Sequence, residues 1–320
     1  MFGNKPKGGY GLQITDEELR IINLAATSRG VKLKLHHSEP LILSSVRDGR
    51  ILDEDAVAGK LRFVAARLGL QGAKVHLSIP TSSTVLRKSV FPVMNDKELR
   101  NMIDVELNSG TTMPFKEPVF DYLRLGPAVN EEVAAAAQQP KSKGRKQEEV
   151  LIIASPSNVV ESYVRVVEQA GMKPATIELA PFASLRLLLA YAGQINQPLS
   201  DRIIVLNAEN GHLEFSIFVD GVPVFLHTVA ELSAMDAYAG AATELSRILY
   251  YFTYTISATQ EKIKEIYVLG ASDWVENMPA KINEVFDGSV YTIPMDQWFM
   301  EPNDVIQSYA VPIGLALRGA

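Results

Sequence analysis

The feature that most restricts this chain is an order of elements that occurs twice. From Gly9 the alternation of apolar and polar residues predicts a strand to about Thr15, then a polar tip at Asp16, Glu17 and Glu18. A strand Leu19 to Ala25, a turn at Ser28-Arg29-Gly30 and a strand Val31 to His36 complete a meander. Beyond the N-cap candidate Asp53, Val57, Leu61, Val64 and Leu68 recur at helical spacing until Gly69, and Lys74 to Ile79 reads as a strand. The second half follows the same plan. Arg202 to Asn207 is a strand, Ala208 to Gly211 a tip, and Leu213, Phe215, Ile217 and Val219 alternate as the next strand. Asp220-Gly221 is a hairpin signal into Val222 to Val229. A helix from about Met235 to Ile256 then leads to a strand Glu265 to Leu269.

The unit β-β-β-α-β, with a polar hairpin tip, is therefore duplicated. Between the copies lies a further set: strands Leu86 to Val93, Phe120 to Leu125 and Glu149 to Ala154, and helices Asn95 to Gly110 and Asn158 to Ala170. Asn95 and Glu98 resemble a capping box at the start of the first of these helices. The expected organisation is a first lobe over 1–83 and 177–200, a small α+β subdomain over 84–176, a second lobe over 201–305, and a segment 306–320 packing on the first lobe. Residues 128–148, with an alanine run and the basic stretch Lys141 to Lys146, read as a disordered loop. That basic stretch is expected to be solvated, or at most to touch anionic lipid. By fold analogy the duplication defines an α/β, actin-like class, ribonuclease H-like and two-lobed, in which two tips grip a nucleotide's phosphates across a cleft.

Composition excludes several classes of function. With Lys+Arg 31 against Asp+Glu 37, a net charge of −6 and no basic stripe, nucleic acid is not an expected partner. The absence of cysteine removes disulfides, thiolate metal sites and thiol nucleophiles. The N-terminus has no apolar stretch after Lys5 and Lys7, and Ala180 to Ala192 is interrupted by Arg186 and is too short to span a bilayer. The expectation is a cytoplasmic protein that reaches a membrane only through a partner. Gly8 to Gly11 precedes a strand and reads as a flexible leader, not a phosphate loop. His36 and His37 point to opposite faces of a strand, and His212 has no carboxylate spacing to support it. Tyr250, Tyr251, Phe252 and Tyr254 read as core or lobe-interface packing. No arrangement for covalent catalysis and no metal site emerges.

Several segments in fixed order resemble the PilM family of pilus-assembly factors. These are Met1-Phe2-Gly3, Val90 to Asp121 with Met113-Pro114-Phe115, Ala154 to Ser157, Gly171 to Pro174, Ile177 to Leu179, and Tyr309 to Arg318. The resemblance covers nearly the whole chain. It implies an actin-like body similar to FtsA with a small subdomain beside the first lobe, placed under a type IV pilus machine. It also implies a partner, the cytoplasmic N-terminal peptide of a PilN-like membrane protein, with the pilus motor ATPase as a second. The cytoplasmic domain of GspL from type II secretion shares this plan and is a close alternative.

The resemblance also allows the nucleotide site to be compared with active relatives. Where those carry Asp-x-Gly-Ser-Ser in the first tip, this chain has Gln13 for the Asp and Thr15 for the Gly, followed by Asp16, Glu17 and Glu18. The second tip has Asn207, Ala208 and Glu209, with Gly211 beyond, and the adenosine-side glycine run is reduced to Gly270, Ala271 and Ser272. Carboxylates would face phosphates, and like charges about 4 Å apart at an effective dielectric of about 20 repel by roughly 4 kcal/mol. The expectation is a scaffold without ATPase activity and with no required cofactor, ATP and Mg²⁺ being disfavoured. Taken alone, the Asp-Glu-Glu tip is better explained as a solvated hairpin turn, and it is the recurrence at the matched place in the other half that favours a shared cleft. The rival reading is a live actin-like ATPase that switches or polymerises. For the partner peptide the candidate residues are Ile103, Leu107, Ile177, Leu179 and Phe182, each of which core packing would also explain.

Overall fold

The duplicated order builds two five-stranded sheets of identical connectivity. The structure, a computed structural model, describes residues 9–27, 30–109, 113–128, 146–209, 212–230, 237–257, 261–299 and 303–319. In the first sheet β1 (Tyr10–Ile14), β2 (Glu18–Thr27) and β3 (Gly30–Pro40) form an antiparallel meander. The short ribbon β4 (Val46–Arg47) and β5 (Arg50–Ile51) and helix α1 (Glu54–Leu68) lead to β6 (Lys74–Ile79), which lies parallel to β1. Asp53 Oδ1 accepts from Ala56 N at 2.9 Å, and Gly69, at φ 68°, closes the helix in a left-handed conformation. Val57, Leu61 and Val64 on α1 are fully buried, as their spacing requires.

The chain splits into a larger unit, Met1–Ser82 with Ser162–Ala320, and a smaller one, Ser83–Glu161. The smaller unit is a three-stranded antiparallel sheet in the order β7 (Val85–Pro92), β9 (Gln147–Pro156), β8 (Pro118–Pro127), covered by α2 (Asp96–Asn108). Asn95 Oδ1 accepts from Glu98 N at 3.0 Å at the start of α2. Leu99, Ile103 and Leu107, spaced along one face of α2, pack with Phe91, Val150 and Ile152 as this unit's core. Helix α3 (Ser157–Gln169) begins in the smaller unit, and its residues from Ser162 belong to the larger one. The compact insertion thus ends near Glu161, short of the expected 176. Strand β9 starts at Gln147, inside the stretch expected to be a loop, and residues 129–145 of that stretch lie outside the described residues.

Strand β10 (Lys173–Leu179) returns the chain to the first sheet, parallel to β6, giving the order β10-β6-β1-β2-β3. Helix α4 (Ala180–Ile195) follows. The second sheet repeats the pattern as β13-β12-β11-β14-β15, from β11 (Arg202–Glu209), β12 (His212–Val219), β13 (Val222–Val229), β14 (Glu265–Gly270) and β15 (Ser289–Thr292). Helix α5 (Ala237–Tyr251), continued by a π turn Phe252–Ile256, and α6 (Ser272–Ile282) cover one face through Leu245, Ile248, Phe252 and Met278. The expected start of α5 at Met235 lies outside the described residues. Tyr250 and Tyr254 are 67% and 65% exposed and only Phe252 of that aromatic group is buried, so the expectation of core packing is corrected for the tyrosines.

After α7 (Met295–Phe299) and α8 (Asn303–Ile306), helix α9 (Ala310–Ala316) lies on β1 and α4. The approach is backbone to backbone. A Cβ on Gly11 would stand 1.9 Å from Pro312 O, and one on Gly314 would stand 1.9 Å from Ala183 O. Gly9 and Gly11 are thus packing glycines at the start of β1, not a flexible leader. The two sheets share a core in which Ile22 and Leu24 meet Leu187, Val205, Tyr267 and Ile313.

Candidate functional site

The duplicated topology brings the two hairpin tips to one cleft of about 180 Å³ within the larger unit. Gln13 and Thr15 reach it from the end of β1, Asn207 and Glu209 from the end of β11, and His212 and Glu214 from the start of β12. The geometry follows from the matched registers: Gln13 pairs with Arg20 across one hairpin, and Asn207 pairs with Glu214 across the other.

The tips are tied to each other. Arg20, only 3% exposed on β2, places Nη1 2.6 Å from Glu209 Oε2 and 2.8 Å from Ser308 O, and its Nε donates to Glu18 Oε1 at 2.7 Å. Ser38 Oγ also donates to Glu18. The acids expected to face a ligand are therefore largely engaged, which corrects that picture of the first tip. Asp16 accepts from the backbone amides of Asp48 at 2.7 Å and Gly49 at 2.8 Å, and His212 Nε2 lies 3.7 Å from its Oδ2. Of the three acids only Glu17 is exposed. Asp48 and Gly49, at φ 50° and 72°, form the two-residue turn of the β4–β5 ribbon, and Tyr163 Oη donates to Gly49 O at 2.6 Å.

One guanidinium between two carboxylates leaves a surplus negative charge. Burial pushes the Glu209 carboxyl up against the pull of Arg20, while Glu209 and Glu18 together hold Arg20 charged in spite of its own burial. Burial also pushes Glu214 up to about 7, partly offset by the neighbouring Thr81 hydroxyl and reinforced by the nearby Glu209. Four oxygens in the cleft wall, Gln13 Oε1, Asn207 Oδ1, Glu209 Oε1 and Thr81 Oγ1, are buried without a hydrogen-bond partner among the described residues. The cleft thus presents unpaired amide and carboxylate oxygens beside the hydroxyls of Ser78 and Thr81.

The other sequence candidates fall elsewhere. Gly211 lies outside the described residues. Gly270, Ala271 and Ser272 join β14 to α6 and do not line the cleft. Gly270, at φ 114°, has room for no side chain because Ala208 O would stand 2.0 Å from its Cβ, and Ala271 N donates to that same oxygen. Ile103, Leu107 and Leu179 are 0%, 2% and 3% exposed and are occupied in packing, while Ile177 and Phe182 are partly exposed. Sequence reading missed Arg20 and the Asp48-Gly49 turn. The available signals were a lone arginine in an apolar strand and a second copy of the Asp-Gly dipeptide found at the β12–β13 hairpin.

Two sheets of order β-β-β-α-β with opposed hairpin tips define an actin-like protein. The family described as type IV pilus assembly protein PilM matches residues 11–229, more than half of the sequence, and the chain belongs to that family. Among solved structures, one described as the PilM–PilN type IV pilus biogenesis complex superposes with a TM-score of 0.75 at 17% identity, covering 98% of this chain and 99% of that one. The ethanolamine utilization protein EutJ from Carboxydothermus hydrogenoformans gives 0.53 at 12% identity, covering 98% and 91%. The cytoplasmic domain of EpsL, from the type II secretion system of Vibrio cholerae, gives 0.46 at 12% identity and 82% coverage of each chain. A search of curated proteins found no match. Among the described residues no helix is long and apolar enough to cross a membrane, and no group of His, Cys, Asp or Glu is placed to hold a metal ion.

Proposed function

We propose that this chain is a non-hydrolysing assembly scaffold of a type IV pilus, a cytoplasmic protein held at the inner face of the membrane by the N-terminal peptide of a PilN-like membrane protein. The observation that carries the non-enzymatic part is the buried Arg20–Glu209 pair, which ties one phosphate tip to the other. A nucleotide's phosphates need donors, and the cleft does not fit them. Its free amide and carboxylate oxygens are acceptors, the Thr81 hydroxyl is neutral, its Asp48 and Gly49 amides are taken by Asp16, and Arg20 is consumed by Glu18, Glu209 and Ser308 O. The partner follows from family membership and from the full-length likeness to a chain described in complex with PilN. The pilus motor ATPase is a second proposed partner, which rests on the family resemblance alone.

For peptide contact, Ile177 and Phe182 are the sequence candidates that retain exposed surface. Calorimetric titration with Mg-ATP and with a synthetic PilN-type N-terminal peptide tests both halves. Silence with Mg-ATP and saturable peptide binding, weakened by Phe182→Ala at unchanged thermal midpoint, is the expected pattern. Saturable Mg-ATP binding with turnover would return the chain to the actin-like ATPases.

A further inference from the structure

We propose that the cleft between the two hairpin tips binds a primary-ammonium cation, received by Gln13 Oε1, Asn207 Oδ1 and the Glu209 and Glu214 carboxylates. The inference rests on the reading that the cleft does not take a nucleotide, and it names what takes that place.

The first observation is the two buried acceptors. Gln13 and Asn207 are each 8% exposed and line the cleft, and the amide oxygen of each lacks a hydrogen-bond partner among the described residues. A buried amide oxygen left unpaired costs about 1–3 kcal/mol, so a site carrying two of them is built to be completed by a donor. They descend from the ends of two matched central strands, β1 and β11, so their convergence is a product of the fold.

The second observation is charge. Arg20 already shows how a cation is held here, but one guanidinium is shared by Glu18 and Glu209, and Glu214 adds a third carboxyl on the neighbouring strand. The surplus is negative, and the nearby Glu209 adds its repulsion to the burial that chiefly raises Glu214. Asp16, Glu17 and Asp48 at the mouth give the entrance the same sign, with His212 the one basic side chain in the described lining. A tetrahedral ammonium carries three donors and one charge, which matches neutral acceptors mixed with carboxylates. A metal ion fits less well, because among the described residues no three His, Cys, Asp or Glu side chains converge.

The ammonium could arrive on a free diamine or on the lysine side chain of a bound chain, and two probes separate these sources. Calorimetric titration of the full chain with 1,4-diaminobutane, with Nα-acetyl-lysine amide, with MgCl₂ and with Mg-ATP is the experiment. Saturable binding of either ammonium probe, weakened about tenfold by Glu214→Gln and by Asn207→Leu at unchanged fold, is expected. Binding of the diamine alone assigns a free amine, and binding of the lysine amide assigns a peptide side chain. Silence of both probes to about 10 mM with Mg-ATP also silent overturns the cation site while leaving the scaffold reading intact. Binding that neither substitution alters, or binding of Mg²⁺ in place of the amines, overturns it as well. Saturable Mg-ATP binding removes both readings together.

Discussion

Arg20 Nη1 and Glu209 Oε2 stand 2.6 Å apart although 189 positions separate them in the chain. The contact joins the first hairpin of one sheet to the first hairpin of its duplicate. Removing one partner leaves the other buried and uncompensated. Arg20→Leu is expected to destabilise the fold by about 3–5 kcal/mol, and the double change Arg20→Leu with Glu209→Leu by clearly less. Urea denaturation of the three proteins checks this. A single substitution costing under about 1 kcal/mol would mean that water already screens the pair.

Glu214 sets a pH dependence of definite sign. Its folded-state pKa, about 7, lies above the ordinary 4.5, so between those values the folded chain holds more protons than the unfolded one. The contribution is therefore neutral below about pH 4.5 and becomes destabilising as pH rises toward 7. With its partial solvent contact discounted, the loss is about 1–2 kcal/mol across the window. Denaturation midpoints measured from pH 4.5 to 7.5 should fall more steeply for the native chain than for Glu214→Gln, and parallel curves would remove Glu214 as the cause.

Two glycine substitutions should act with opposite signs. In Gly314→Ala the new Cβ meets Ala183 O at 1.9 Å, backbone that cannot step aside, and a loss of about 1–3 kcal/mol is expected. In Gly59→Ala, inside α1, nothing lies within 4 Å of the new Cβ, and a gain of about 0.5–1 kcal/mol is expected. Thermal unfolding of the pair reads both. Equal and small effects would deny that α9 is seated by backbone contact.

Leu107→Glu places a charge in the core of the smaller unit, where Leu107 packs with Leu99 and Phe91. Local unfolding, with a cost above about 3 kcal/mol, is expected, and limited proteolysis should cut within 83–161. Loss of partner binding in this variant would report that unfolding. A variant that resists protease like the native chain would show that the α2 core is looser than its burial indicates.

The actin-like class was legible in the sequence because strand and helix periods are local, and the same order of periods occurs twice. The PilM family was legible as well, in short segments whose order and spacing span the chain. Asn95 and Asp53 were legible as caps because a cap bond closes over three residues. The cleft was only half legible. The tips could be placed, since each follows a strand, but where their acids point could not. Asp16 turned to the Asp48 and Gly49 amides, and Glu18 turned to Arg20. Likewise Ile103 and Leu107 could be read as groove or core, with core favoured, because a helix's apolar stripe does not say what covers it.

The sequence by itself determined the two meanders, their tips and the residue types brought there, all through interactions spanning fewer than about a dozen residues. Tertiary structure alone decided that Arg20 bridges the tips and that Gly11 and Gly314 admit α9 against bare backbone. Each of those depends on a contact between segments far apart in the chain. Their distance and orientation are set by packing, and no local pattern encodes them.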